Sequence, residues 1–396
     1  MKTESQHLSV AELSRRYAFP KDFDGSGETL GIIAMAGGYH RSDIEAMFRS
    51  IDRPMPELID VGVPSPDGRG ANRPSSMADL AALAKALRAE QVPTQLDALA
   101  TLETTMDVQL AAAFAPGARV VVYFAPARQP AGLYYTLLTA VHDSVNRPSV
   151  LSISWGWPEP RKLADSAELQ EIMVGARELF DLARSRGITL CASSGDTGSG
   201  DPAEGDTPKA GEGRFPGADW VQFPASSPYA LACGGTTLDG SSESSWNIRL
   251  AGHSYASGGG ASRAFDRPTW QQGVIGDALG PRGRGVPDVA GLADQRFGST
   301  FFAGGETLGS AGTSAATPLW AALITRLNQA LGTRLGHLNP RIYRLAAADP
   351  TLFRDVIAGT NGEFQASDGW DPVTGWGSPH GERLLEALRE DLQQHP

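Results

Sequence analysis

The strand-like runs of this chain are apolar almost from end to end, and nothing else in the sequence narrows its fold as much. TLGIIAM (29–35), LIDVGV (58–63), RVVVYFA (119–125), SVLSISW (149–155), GITLCASS (187–194) and YALACGG (229–235) are β-rich and mostly continuous. A strand with one wet face alternates with period two, whereas a strand covered on both faces has no reason to alternate. Helical patterns near 42–51, 96–115, 131–145 and 166–186 fall between these runs. Strands of this kind, separated by helices, predict an α/β fold: a parallel central sheet with helices on both faces. Ser9 and Glu12 have capping-box spacing for a short helix ending before Pro20, and a last helix is expected near 381–393.

Charge and composition remove several classes of function. The net charge of −11, from 34 basic and 45 acidic side chains, argues against nucleic acid or an anionic membrane as partner. No apolar run is long enough to span a bilayer, and Arg119 interrupts the nearest candidate. The opening MKTESQHLSV has no apolar core and does not read as a secretory signal. Cys191 and Cys233 both lie in apolar runs, which predicts buried free thiols and no disulfide framework. With no linker, repeat or low-complexity block, residues 1–396 are expected to form one domain, and a monomer. After residue 195 the polar, glycine-rich stretch to residue 219 reads as a long loop at a strand end, where function often sits.

Several familiar sites are missing. There is no Gly-Lys pair and hence no P-loop, and no H-E-x-x-H zinc motif. GSGETLG (25–31) precedes a strand where a dinucleotide loop would follow one, and no G-x-S-x-G elbow occurs. What remains is LGSAGTSAATPLWAALITRLNQAL (308–331), which passes from small and hydroxyl residues into an amphipathic helical pattern. Pro318 fits a first helical turn, where backbone N–H groups lack partners and stabilise negative charge. Ser314 at that junction has two readings, a helix cap or a nucleophile beside a ready oxyanion site. A serine nucleophile needs a base, and none of the seven histidines lies in the H-G-T-H context of subtilisins. His142 sits in a helical pattern and reads as structural.

Carboxylates offer the alternative. In LATLETTMDVQLAAAF (99–114) Leu99, Leu102, Met106, Leu110 and Phe114 mark an apolar stripe at helical spacing. Glu103 and Asp107, four apart at its flank, stack on one face with no cation between them. Surface helices often carry such pairs; a close pair sharing one proton can also supply a tuned base or acid. In CASSGDTG (191–198) Asp196 follows a strand end, as a turn residue or, when protonated, as a donor to an oxyanion.

These three segments together resemble the signatures of the sedolisins, the serine-carboxyl peptidases: G-T-S-A at 312–315, S-S-G-D-T-G at 193–198 and E-x-x-x-D at 103–107. VQFPASSPYALACGGTTL (221–238), SGGGASRAFDRPTWQ (257–271) and GRGVPDVAG (283–291) are similar to the kumamolisin-like subgroup. The resemblance runs from about Ser9 to the final helix. It implies a subtilisin-like fold and an acid-active endopeptidase with Ser314 as nucleophile and Glu103 as general base and acid. Asp107 would tune Glu103, and Asp196 would complete the oxyanion hole. Ser154, Trp155 and Gly156 of SISWG would pair with an extended protein or peptide substrate. The packing reading of Trp155 stands beside this one.

The resemblance also implies one structural calcium ion, held in the 353–379 loop by the Asp355 and Asp371 side chains and the Val356, Ser367 and Gly369 carbonyls. Acidic loops often bind nothing, and Ser367 stands where a glycine is common. Ala34 replaces a glutamate that extends the acid network in the kumamolisin-like pattern. The family implies a secreted enzyme trimmed from a precursor, whereas Met1 as a native start would imply a cytoplasmic one. Two rivals remain: a catalytically inactive peptide-binding homologue, and a Ser-His-Asp subtilisin.

Overall fold

The computed structural model describes residues 7–64, 70–91, 95–159, 167–199, 221–250, 252–275, 279–280 and 283–395. Most of the expected loop after residue 195 lies outside these residues. A parallel sheet of seven strands organises the rest: β1 (Thr29–Ala34), β2 (Leu58–Gly62), β3 (Arg119–Phe124), β4 (Val150–Ile153), β5 (Thr189–Ser193), β6 (Ala230–Asp239) and β7 (Val289–Leu292). Their order is β2-β3-β1-β4-β5-β6-β7, and Ser242–Ser245 adds an antiparallel strand to β6. Apart from the edge strand β2, whose residues stay partly exposed, the apolar runs become strands covered on both faces. Leu30, Ile32, Val120, Val122, Val150, Cys191, Leu231 and Val289 belong to one buried cluster. Ile33, Val121, Tyr123, Leu151, Ile153, Leu190 and Ala232 belong to the other.

Nine helices surround this sheet among the described residues: α1 (Val10–Arg16), α2 (Arg41–Ser50), α3 (Met77–Arg88), α4 (Leu96–Phe114), α5 (Pro130–His142), α6 (Ala167–Ser185), α7 (Gly312–Leu331), α8 (Asn339–Ala348) and α9 (Gly381–Gln394). α2, α4 and α7 pack into the first cluster, α5 and α6 into the second. The capping box is formed, with Glu12 N–H donating to Ser9 Oγ at 3.2 Å and Ser9 N–H donating to Glu12 Oε2 at 2.8 Å. Both cysteines are buried and free. No helix among the described residues is long and apolar enough to cross a membrane.

Three features differ from the sequence reading. β7 and helices α3 and α8 were not foreseen. β7 is only four residues long, and alanine and glycine fill half of it. α7 is not amphipathic over most of its length: every residue from Gly312 to Asn328 is buried. It packs against α4 and the ends of β4, β5, β6 and β7, so polar members such as Thr317 and Thr325 fold their hydroxyls back onto the helix carbonyls of Thr313 and Ala321 at 2.8 Å. Pro318 is the seventh residue of α7 and lies in its second turn, because the helix begins at Gly312.

A buried ion pair braces the sheet beneath this helix. Asp288, just before β7, accepts hydrogen bonds from Arg284 at 2.5 Å, the Ala232 N–H at 2.7 Å, Tyr343 at 2.8 Å and Asn339 at 2.9 Å. A buried charge is tolerated when it is paired and both its oxygens find donors, and this carboxylate meets that condition. It ties β6 and β7 to α8. The strand order reverses direction around β1, and β4 and β5 deliver their carboxyl ends next to that point, where open parallel sheets place their sites.

Candidate active site

α4 brings the two sequence-selected carboxyls into the protein. At the flank of the apolar stripe Asp107 is fully buried, while Glu103 keeps some exposure. The hydroxyls of Thr101, Thr104 and Thr105 donate to carbonyls one turn back, at 3.0, 3.0 and 2.7 Å. Gln109 exchanges two bonds with the Phe302 backbone, at 2.6 and 2.9 Å. Within this helix the buried side-chain oxygens left without a partner are Glu103 Oε1 and Asp107 Oδ2. A structural role would have satisfied them, because an unpaired buried carboxyl is costly.

Ser314 is the third residue of α7 and caps nothing; the N-cap is Ala311, with no side-chain cap bond. The capping reading is thereby corrected. Its hydroxyl points at the Ser154 carbonyl, 3.4 Å away, and lies close enough to Glu103 to favour the ionised carboxylate. Pro318 has no N–H to give the Ser314 carbonyl four residues back. Ser154 Oγ lies 3.3 Å from that carbonyl and 2.9 Å from Asp107 Oδ1. Ser154 thus joins the α4 carboxyl to the Ser314 peptide through its side chain, a role that the substrate-strand motif gave no hint of.

Asp196 stands at the carboxyl end of β5. The N–H groups of Gly312 and Thr313 are taken by the Ala293 carbonyl at 2.8 Å and by Asp196 Oδ1 at 2.8 Å. The Ser314 N–H has no hydrogen-bond partner among the described residues, and so is available to a ligand. A free helix N-terminal amide and an acid side by side make an anion site, given a proton on the acid. Burial raises all three carboxyls. It is the largest cause for Glu103, with Asp196 adding repulsion, and for Asp107, with Glu103 adding repulsion. For Asp196 the Thr313 bonds act against burial. Burial and mutual repulsion thus push the Glu103–Asp107 pair as a whole upward, so the pair holds a proton at pH values where free carboxyls have ionised.

Trp155 and Gly156 are partly exposed at the end of β4, next to an antiparallel pair of Trp157–Pro158 with Gln222–Phe223. Gln222 escaped the sequence reading. A Cβ at Gly156 would lie 3.2 Å from its Oε1 and one at Gly195 2.8 Å from its Cδ, so it stands between the two segments. No local signal marks it, because the approach is long-range. The histidines turn elsewhere: His40 bonds the Ser75 carbonyl, His142 that of Leu138 and His337 that of Pro228. In the β1–β4 register Ile32 faces Ser152, which carries Ala34 toward the level of Ser154.

The 353–379 loop also gathers its named residues. Asp371 Oδ2 accepts the Ser367 N–H at 3.0 Å, and Asp355 Oδ2 accepts the Gly369 N–H at 2.7 Å. Thr374 Oγ1 reaches the Val356 carbonyl at 3.4 Å. Ser367 is absent from the residues with positive φ, so a serine there costs no backbone strain. Burial lifts Asp371 to about 6 and raises Asp355, and neither has an ion-pair partner among the described residues. No cluster of three or more His, Cys, Asp or Glu side chains among the described residues could hold a metal, so a cation here would rely on two carboxylates and backbone carbonyls.

Comparison with known proteins gives a consistent picture. The subtilase family model matches residues 98–377. Kumamolisin of Bacillus sp. (strain MN-32) is 39% identical over 97% of this chain and 64% of its own length. Sedolisin of Pseudomonas sp. (strain 101) is 34% identical over 73% of this chain and 49% of its own length. The chain therefore spans less than two thirds of these curated relatives. The structure of Pseudomonas sedolisin complexed with two molecules of pseudo-iodotyrostatin superposes with a TM-score of 0.79 at 26% identity, covering 98% of this chain and all of that one.

Raised carboxyl pKa values have a consequence for stability that needs no substrate. Between the unfolded pKa near 4 and the raised folded value, the folded state holds more protons than the unfolded state, so stability falls as pH rises. Replacing Glu103 by Gln and Asp107 by Asn removes this dependence. Melting temperatures of the double variant should therefore gain on the parent between pH 4 and pH 7. Parallel curves for the two proteins would show that these carboxyls titrate normally.

Proposed function

Because the chain belongs to the sedolisin family within the subtilases, and is kumamolisin-like, we propose that it is an acid-active endopeptidase working through a serine acyl-enzyme. Ser314 Oγ attacks the scissile carbonyl carbon and passes its proton to Glu103. The oxyanion is received by the Ser314 N–H and by protonated Asp196. Glu103 then returns the proton to the leaving amine, and the same carboxyl activates the water that hydrolyses the ester. Asp107 holds the pair's second proton and, with Ser154, keeps Glu103 aimed at the nucleophile. Substrate lies extended along Ser154, Trp155 and Gly156.

The observation that carries this reading is the pair of unpartnered carboxyl oxygens on α4 beside Ser314, with every other buried polar side chain of that helix satisfied. It disfavours a Ser-His-Asp subtilisin, since the histidine contacts lie elsewhere. It also disfavours an inactive peptide binder, which has no use for a desolvated acid pair. A monomer acting on protein and peptide substrates outside the cell completes the proposal.

Calcium fits the loop at residues 353–379 as a stabilising ion. Asp355 and Asp371 would hold it with the Val356, Ser367 and Gly369 carbonyls, an all-oxygen set suited to a hard cation. When bound, it supplies positive charge to two carboxyls that have no ion-pair partner. The loop is remote in sequence from Ser314, and no catalytic step passes through it.

Ser314→Ala should fold normally and lose about 10⁴-fold in kcat/KM on an N-terminally blocked peptide, with Glu103→Gln close behind. Single histidine replacements should leave turnover standing. Near parental rates in pure Ser314→Ala protein would remove the assignment, and an inert blocked peptide beside a cleaved free one would replace internal cleavage by end trimming.

For the ion, chelation should lower the melting temperature by mass action, on the order of 3 kcal/mol of stability for a site held at a hundred times its dissociation constant. Asp371→Ala should abolish the response. An unchanged melting curve on chelation, with no metal found by elemental analysis, would eliminate the site.

A further inference from the structure

One hydroxyl beside the nucleophile has no part in the steps above. Thr313 Oγ1 accepts the Gly195 N–H at 3.2 Å and donates to Asp196 Oδ1 at 2.8 Å. The Thr313 N–H donates to that same oxygen, also at 2.8 Å. Oδ1 thus receives two donors, and the hydroxyl has committed its single hydrogen. An oxygen in this state cannot also hold the acid proton unless one donor turns away. The other oxygen, Oδ2, packs against Gly312, where φ is +78° and a Cβ would lie only 2.5 Å from it. The main chain on either side is fixed as well. The Ala256 N–H donates to the Asp196 carbonyl at 2.9 Å and the Gly258 N–H to that of Gly195 at 2.8 Å.

We propose that Thr313 is a positioning residue that addresses the acid proton of Asp196: by saturating Oδ1 it confines that proton to Oδ2, the oxygen that donates to the oxyanion. The inference rests on Asp196 being the oxyanion acid. Among the described residues, the titratable groups facing Asp196 are Glu103 from α4 and Tyr255 from the strand His253–Ala256. Neither donates to Oδ1. Thr313 also restrains the upward push of burial on Asp196, because both of its bonds favour the carboxylate. Removing the hydroxyl should therefore have two effects of opposite sense. Asp196 stays protonated to higher pH, yet its proton is no longer held on the productive oxygen, so turnover falls while the acid form persists. Loss of a merely structural contact would not couple these effects.

The test compares Thr313→Val, Thr313→Ser and the parent, each also with Asp196→Asn. The Asp196 carboxyl is titrated by carbon-13 NMR, and kcat and KM are measured against pH. Thr313→Val should lower kcat by about tenfold with KM little changed, the scale of one weakened oxyanion donor. Its Asp196 midpoint and alkaline limb should both rise by about half a unit or more, the size expected for one lost hydrogen bond to a carboxylate. Thr313→Ser should restore both, and in the Asn background Thr313→Val should move no limb. If Thr313→Val does not fold, Thr313→Ala takes its place with the same readouts. An Asp196 midpoint that stays or falls in Thr313→Val overturns the proposal, as does a serine variant that behaves like valine. A midpoint that rises without the alkaline limb overturns the catalytic half alone, by removing Asp196 from the oxyanion while leaving its coupling to Thr313 intact.

Discussion

Everything at the candidate site depends on two carboxyl groups being buried one helical turn apart with no cation to neutralise them. Four residues of α-helix rise about 6 Å, so Glu103 and Asp107 face the same side of α4 and share one desolvated space. In water each would ionise near pH 4. Against α7 and the end of β4 burial disfavours two charges on the pair, so it retains a proton where free carboxyls would have lost theirs, and Asp107 has no exposure at all. That arrangement leaves Glu103, the member nearer solvent, free to take and return a proton beside Ser314.

Such a pair costs stability, and the scaffold around it is correspondingly rigid. α7 is buried from Gly312 to Asn328, and the Asp288 network fixes the strands on which it rests. Pro318 is part of the same design. Inside a helix it removes one backbone bond, and the carbonyl released belongs to Ser314, within reach of the Ser154 hydroxyl that also contacts Asp107. A helix defect thus becomes a link between nucleophile and acid pair. Asp107 Oδ2 is left without a hydrogen-bond partner.

Much of this was legible from residues alone. The continuous apolar runs announced strands covered on both faces, and the capping box at Ser9 and Glu12 formed as its spacing requires. The site was legible only as three separated motifs. The strand ends of β4 and β5 and the N-terminus of α7 converge through sheet order, which no local spacing encodes. Residues that act across that convergence were therefore missed. The Ser154 side chain, Gln222 and the Thr313 hydroxyl each meet partners more than forty residues away or, for Gln222, across two segments. α3 and α8, twelve and ten residues long, are helices for which the sequence reading offered no expectation. α7 was misread as amphipathic because its threonines look polar in sequence yet satisfy themselves within the helix.

The central claim is that a carboxyl, and no histidine, activates Ser314. A histidine base is silenced below its pKa of about 6.5, whereas a carboxyl base starts from a reference value near 4. Turnover needs Glu103 ionised and Asp196 protonated; burial raises both, opposed at Glu103 by the Ser314 hydroxyl and at Asp196 by the Thr313 bonds. The most direct measurement is kcat/KM against pH for the unmodified protein on one unstructured peptide. A bell with its maximum on the acid side of neutrality is predicted, and a maximum at neutral or alkaline pH would contradict the carboxyl mechanism.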